Sequence, residues 1–168
     1  MMKMIKKKTI IFDMDGVIFD SEVTYMQELM DFFQMYDIHL TIDDSKKVIG
    51  VDSRLFDDIV YSWWQNKTPK DEFLEILDNY YQSIDRNYQA ILNPHVLSLL
   101  DYLKTNHYQI ALASSSSKQL IDKALISSGI FDYFDLITSG MAFQESKPHP
   151  EIYLYTIEKL HARKEETL

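Results

Sequence analysis

The sequence predicts an α/β fold, a doubly wound parallel sheet that carries an all-helical insertion, and three observations lead there. An apolar, β-branched run from Thr9 to Phe12 ends in the acidic turn Asp13-Met-Asp-Gly16. From Ser21 to about residue 90 the apolar positions recur with helical period only. After that, short apolar runs alternate with helical segments, and strands separated by helices pair in parallel through crossovers.

At 168 residues and 46% hydrophobic content, the chain is long enough for one domain with a buried core and a small insertion. The opening residues, MMKMIKKK, resemble the basic start of a signal peptide, but Asp13 stops the apolar run after Phe12, too early for an h-region. The lysines therefore read as a solvated lead-in to the first strand, and no window approaches a membrane span.

In the helical block, Ser21 is placed to cap a helix with Val23, Met26, Leu29, Met30 and Phe33 on one face. A second helix from Ser53 presents Leu55, Phe56, Ile59, Val60 and Trp63. A third starts at Thr68, with Pro69 in its first turn and Asp71 at capping-box spacing, and runs through Phe73, Leu74, Leu77 and Tyr81. These Met and aromatic stripes read as core. Asn93-Pro94 then opens a helix carrying Val96, Leu99, Leu100 and Leu103. A strand over Gln109–Ala113, a helix over Ser117–Ser128 closed by Gly129, a strand over Phe134–Thr138 and a helix over Pro150–His161 complete the order.

A formal charge of −9 argues against nucleic acid or an anionic membrane as partner, since both need a basic face. The absence of cysteine excludes a disulfide framework and thiolate zinc sites, and fits a cytoplasmic enzyme.

Strand alternation turns Asp13 and Asp15 to the same side at a strand's carboxyl end, where open α/β sheets bind ligands. Gly16 allows a sharp turn immediately afterwards. Two acids so placed share a divalent cation or divide into nucleophile and acid/base. An ordinary Asp-x-Asp-Gly turn is the plain alternative; an EF-hand loop is disfavoured because Ile10 and Met14 supply no third oxygen. Ser114, at the end of the neighbouring strand and just before a helix, offers a hydroxyl and free N–H groups to phosphate oxygens, with an N-cap role as the alternative. Lys147, in Glu145-Ser-Lys-Pro-His-Pro150, follows the third strand in a loop that its prolines hold extended. It would face the same crevice, where a cation neutralises a phosphoryl group and keeps an attacking carboxylate ionised; a solvated loop lysine is the plain reading.

DxDGVxxDSE over Asp13–Glu22, a strand-end serine and Lys-Pro before a helix, in this order and with a helical insert after the first motif, together resemble the haloacid dehalogenase superfamily. More narrowly, the chain resembles its β-phosphoglucomutase/phosphatase-like subfamily over almost its whole length. The resemblance implies a Rossmann-like core at residues 1–19 and 91–168 with a helical cap at 20–90. It also implies a Mg²⁺-dependent phosphohydrolase acting on a small phosphorylated metabolite, a sugar phosphate among the candidates. Asp13 would attack phosphorus to form an aspartyl-phosphate, and Asp15 would protonate the leaving group and later activate water. Ser114, Lys147 and backbone N–H groups would hold the phosphoryl oxygens, Ser115 would bind substrate, and Asp13 and Asp15 would hold Mg²⁺. Arg54 of the cap would reach a substrate phosphate, a solvated surface arginine being the other reading. The second aspartate disfavours the dehalogenase branch, which lacks it.

Two departures from the family pattern matter. An acidic pair on a further strand ordinarily completes the Mg²⁺ site, and the sequence ends at Glu165-Glu-Thr-Leu168 where that strand should begin. The expectation is a core lacking its last strands, with Ile10–Asp13 an exposed edge able to self-associate. Asp20 or Glu145 would then be the acids available to complete a cation site. Tyr25 stands where many relatives place a histidine, which weakens a mutase assignment. A phosphosugar mutase and a truncated, non-catalytic phosphate-binding fragment are the alternatives.

Overall fold

The computed structural model describes residues 6–51, 53–65 and 67–168. Its elements run β1 (Thr9–Phe12), α1 (Glu22–Gln34), α2 (Ile42–Ser45), α3 (Ser53–Trp63), α4 (Lys70–Ser83), α5 (Val96–Thr105), β2 (Gln109–Ser114), α6 (Lys118–Ser127), β3 (Leu136–Ser139) and α7 (Glu151–Lys159), with short 3-10 turns between. The chain is an α/β protein that divides into two compact units, one made of the residues up to Asp20 and from Asn87 on, the other of Ser21–Arg86. No helix among the described residues is long and apolar enough to cross a membrane.

In the first unit the strands pair in parallel in the order β1-β2-β3, with Ile10 opposite Ile110, Leu112 opposite Ile137 and Ser114 opposite Ser139. The central strand β2 buries Ile110, Ala111, Leu112 and Ala113 completely. Burial of successive residues means that both faces are covered, which is why this strand reads as a continuous apolar run. Phe12, Met14, Leu100, Leu103, Ile121, Leu125 and Ile130 fill the core around it. The helix expected from Asn93 begins later, at Val96, because Asn93 folds into a turn whose side-chain oxygen accepts the His95 N–H at 3.1 Å.

The outer edge of β1 is not open as expected. The chain's last residues run parallel to it: Lys8 N donates to Glu166 O at 2.8 Å, Leu168 N to Thr9 O at 2.9 Å and Ile11 N to Leu168 O at 2.8 Å. A strand edge presents unpaired N–H and C=O groups, and pairing them with the nearest extended segment satisfies both. The expectation of self-association through this edge therefore loses its basis along Thr9–Ile11. Nor are the lysines before β1 merely a solvated lead-in. Lys7 Nζ donates to Glu165 O and Thr167 O at 3.0 and 2.9 Å, and Lys8 pairs with Glu166 at 3.0 Å.

The second unit packs its helices around Leu29, Phe32, Phe33, Ile38, Val60, Trp64, Phe73 and Leu77. The ring of Phe32 lies 5.9 Å from that of Trp64 and 6.1 Å from that of Phe73, centroid to centroid. Such ring pairs add to the burial term. Two residues of the expected stripes face outward: Val23, in the first turn of α1, and Leu55 are 67% and 47% exposed. The expected capping box at Thr68 does not form either. Thr68 Oγ1 instead accepts the indole N–H of Trp64 at 3.0 Å, and α4 starts behind Pro69 without a side-chain cap. A capping box forms at Thr41, where Asp44 N donates to Thr41 Oγ1 and Thr41 N to Asp44 Oδ2, both at 3.1 Å. Lys47 and Thr41 together hold the Asp44 carboxyl well below the usual carboxylate range.

This unit also buries an ion pair. Arg86 Nε and Nη2 donate to Glu28 Oε1 and Oε2, each at 2.7 Å, and the guanidinium lies 5.2 Å from the ring centroid of Tyr25. Removing one partner leaves an uncompensated buried charge, a loss of about 3–5 kcal/mol. Arg86→Met should therefore lower unfolding stability by that amount in urea titration, whereas Glu28→Leu/Arg86→Met should recover most of it.

Candidate active site

The first acidic motif leaves β1 as a sharp turn. Met14 is fully buried while Asp13 and Asp15 on either side of it remain partly accessible, as period-2 alternation requires. Gly16 takes φ +72°, a left-handed conformation disfavoured for a residue with a Cβ, and its N–H closes the turn on Phe19 O at 2.8 Å.

Asp13 is gripped on one oxygen. Its Oδ1 accepts Met14 N–H at 2.8 Å and Lys147 Nζ at 2.8 Å. The same ammonium donates to Ala113 O at 2.7 Å, so Lys147 ties the end of β1 to the end of β2. Its side chain is 18% exposed against 41% for Asp13, so the pair is only partly shielded from water. Charge-assisted bonds of this kind are strong and directional.

The serine run divides its labour by position. Ser114, the last residue of β2, is fully buried, and its Oγ accepts Ser116 N–H at 3.1 Å. Ser115 is exposed. Ser117, not Ser114, caps α6, accepting Leu120 N–H at 3.3 Å. Ser116 Oγ donates to Asp15 Oδ2 at 3.3 Å, a contact that sequence reasoning missed because four adjacent serines are chemically alike until strand register tells them apart. Ser139, opposite Ser114 in the sheet, was also missed; its Oγ donates to Ser116 O at 2.7 Å. At the next position a side chain would be crowded: a Cβ on Gly140 would stand 3.1 Å from Ser115 Cα and 3.2 Å from Ser114 O.

The first unit thus brings Asp13, Asp15, Ser114, Ser116 and Lys147 to one end of the sheet. Arg54 belongs to the second unit, exposed on α3. Asp20 and Glu145 do not complete an acidic set, since no group of three or more His, Cys, Asp or Glu among the described residues is arranged to hold a metal. Two carboxylates offer hard oxygens alone. That donor set fits Mg²⁺, which binds through one or two carboxylates and keeps waters or substrate phosphate oxygens in its remaining positions.

The family profile of the haloacid dehalogenase-like hydrolases matches residues 10–168. The chain belongs to this family. Among its relatives, the phosphorylated carbohydrates phosphatase of Thermotoga maritima is 28% identical over 156 residues, covering 92% of this chain and 71% of the relative. Hexitol phosphatase B of Escherichia coli is 29% identical over 156 residues, covering 89% of this chain and 68% of that one. The crystal structure of β-phosphoglucomutase from Clostridium difficile matches with a TM-score of 0.75 at 28% identity, over 96% of this chain and 74% of the other. A haloacid dehalogenase-like hydrolase therefore carries the acidic pair, the serine loop and the lysine described above.

Proposed function

We propose that this chain is a Mg²⁺-dependent phosphohydrolase of small phosphorylated metabolites, sugar phosphates foremost, working through an aspartyl-phosphate on Asp13. The observation that carries the reading is the grip of Lys147 and Met14 N–H on Asp13 Oδ1, which orients the carboxylate and leaves Oδ2 as the attacking atom. The kinship with a phosphatase of phosphorylated carbohydrates and a hexitol phosphatase supports the substrate class.

In the first step Asp13 Oδ2 bonds to phosphorus as the ester P–O bond breaks, and Asp15 gives its proton to the departing oxygen. In the second, Asp15 takes a proton from water as that water attacks phosphorus, releasing inorganic phosphate and restoring Asp13. Throughout, the Lys147 ammonium, the Ser114 hydroxyl and backbone N–H groups hold the phosphoryl oxygens. Mg²⁺, held by Asp13 and Asp15, would neutralise part of the phosphoryl charge. In this reading residues 21–86 act as a cap that selects substrate, with Arg54 and Ser115 as substrate contacts.

Release of inorganic phosphate from a panel of sugar phosphates, phosphoglycolate and nucleotides, with Mg²⁺ and with a chelator, tests this. Mg²⁺-dependent release from a sugar phosphate is expected, and no release from any ester would overturn it. Interconversion of sugar phosphates without net release would instead assign a mutase, the reading that the likeness to β-phosphoglucomutase favours.

Lys147→Met keeps the length of the side chain and removes its charge. By analogy with the loss of one transition-state donor, kcat should fall about a hundred- to a thousandfold, as steady-state kinetics on the best ester would record.

A further inference from the structure

We propose that Ser139, through the Ser116 carbonyl, and Ser116, through its hydroxyl, form a hydrogen-bond relay that orients Asp15, which makes both of them positioning residues for the reaction proposed above, on whose reading this rests. Both peptide groups of Ser116 are anchored. Its N–H is held by the hydroxyl of fully buried Ser114 at 3.1 Å, and its carbonyl accepts the Ser139 hydroxyl at 2.7 Å. With the backbone fixed at both ends, the remaining freedom of this side chain is rotation about Cα–Cβ, and its Oγ is turned onto Asp15 Oδ2 at 3.3 Å.

Ser139 is fixed in turn. It ends β3 opposite Ser114, and its Oγ also accepts Met141 N–H at 3.3 Å. Gly140 lets the turn after β3 lie against the serine loop, since a Cβ there would crowd Ser114 O at 3.2 Å and Ser115 Cα at 3.1 Å. The relay therefore runs from β3 through the loop after β2 to the turn after β1.

Asp15 needs such a hold. Two of the three Lys147 ammonium donors go to Asp13 Oδ1 and Ala113 O and so orient the nucleophile. A carboxylate that must first meet the leaving oxygen and then a water works only if its rotamer is set by its surroundings. At 3.3 Å the Ser116 bond is long for a hydroxyl donor, as catalytic hydrogen bonds often are before substrate is bound.

The test compares wild type, Ser116→Ala, Ser116→Thr, Ser139→Ala and the double alanine variant, by kinetics on the best ester and by crystal structures. Ser116→Ala should lower kcat about ten- to a hundredfold with KM unchanged, the usual size for loss of a supporting bond behind a reacting group. Ser116→Thr, which keeps the hydroxyl, should restore kcat. Because the two serines act in series, the double variant should be no slower than Ser116→Ala alone. In Ser116→Ala crystals the Asp15 carboxylate should leave its wild-type orientation or spread over several.

A rise in KM with kcat preserved would overturn the proposal, since Ser116 would then be a substrate contact. An Asp15 carboxylate unmoved in Ser116→Ala would overturn it too. If wild type hydrolyses no ester, the phosphohydrolase reading fails, and the crystallographic comparison still decides the relay by itself.

Discussion

Asp13→Asn should abolish phosphate release, by about ten-thousandfold or more in kcat, while leaving the fold intact. The amide has the shape of the carboxylate, so Lys147 and Met14 N–H still find an oxygen at the position of Oδ1, where both now donate at 2.8 Å. The group left to attack phosphorus is then an amide nitrogen, whose lone pair is delocalised and which cannot form the mixed anhydride. Losses of this size are what removal of a nucleophile costs when the rest of a site stays in place. An unchanged melting temperature beside near-zero turnover, measured on the ester that wild type hydrolyses best, is the expected pair of results. Near-normal turnover would remove Asp13 from the chemistry.

Much of this site's geometry was legible in the sequence because it follows from the period of strands. An apolar run that stops at an acid, with a second acid two residues on, puts both carboxylates at one end of a parallel sheet, and the neighbouring strands bring Ser114 and the Lys147 loop to that end. What stayed hidden depends on contacts across long separations. Ser116 is indistinguishable by type from the serines beside it, Ser139 carries no local mark of its role, and their bonds exist only once the three strands are in register. Glu28 and Arg86 meet 58 residues apart, and a charged residue on an apolar helix face carries no local sign of its partner. The pairing of the last residues with β1 was missed for a different reason. After His161 the sequence shows neither strand nor helix period, and it is the hydrogen bonds offered by β1 that hold its last residues, Glu166 to Leu168, alongside the strand. Thr41 shows how weak the local capping signal is, since Thr68 has a suitable acid three residues on as well and gives its oxygen to Trp64 instead.

The second large effect concerns Asp15→Asn, which should lower kcat about a hundred- to ten-thousandfold, the range that general acid/base help supplies. The two proposed roles of Asp15 make the loss depend on the leaving group. An alkyl ester such as a sugar phosphate needs a proton on its departing oxygen, so without Asp15 the aspartyl-phosphate forms slowly. An aryl ester with an acidic phenol leaves without that proton, so Asp13 should still be phosphorylated by it. The second step lacks a base for either ester. With p-nitrophenyl phosphate, Asp15→Asn should therefore release a burst of phenol equal to the enzyme present and then stall with a phosphoryl group on Asp13, detectable by intact mass and lost on treatment with hydroxylamine. The sugar phosphate should give neither burst nor stall, only slow turnover. The Ser116 hydroxyl can still bond the amide oxygen of Asn, so its orientation would be kept and the defect would lie in proton transfer rather than in placement. Equal losses on the two esters, with no phosphorylated protein on either, would mean that Asp15 serves only to hold the cation and that the proton comes from another group.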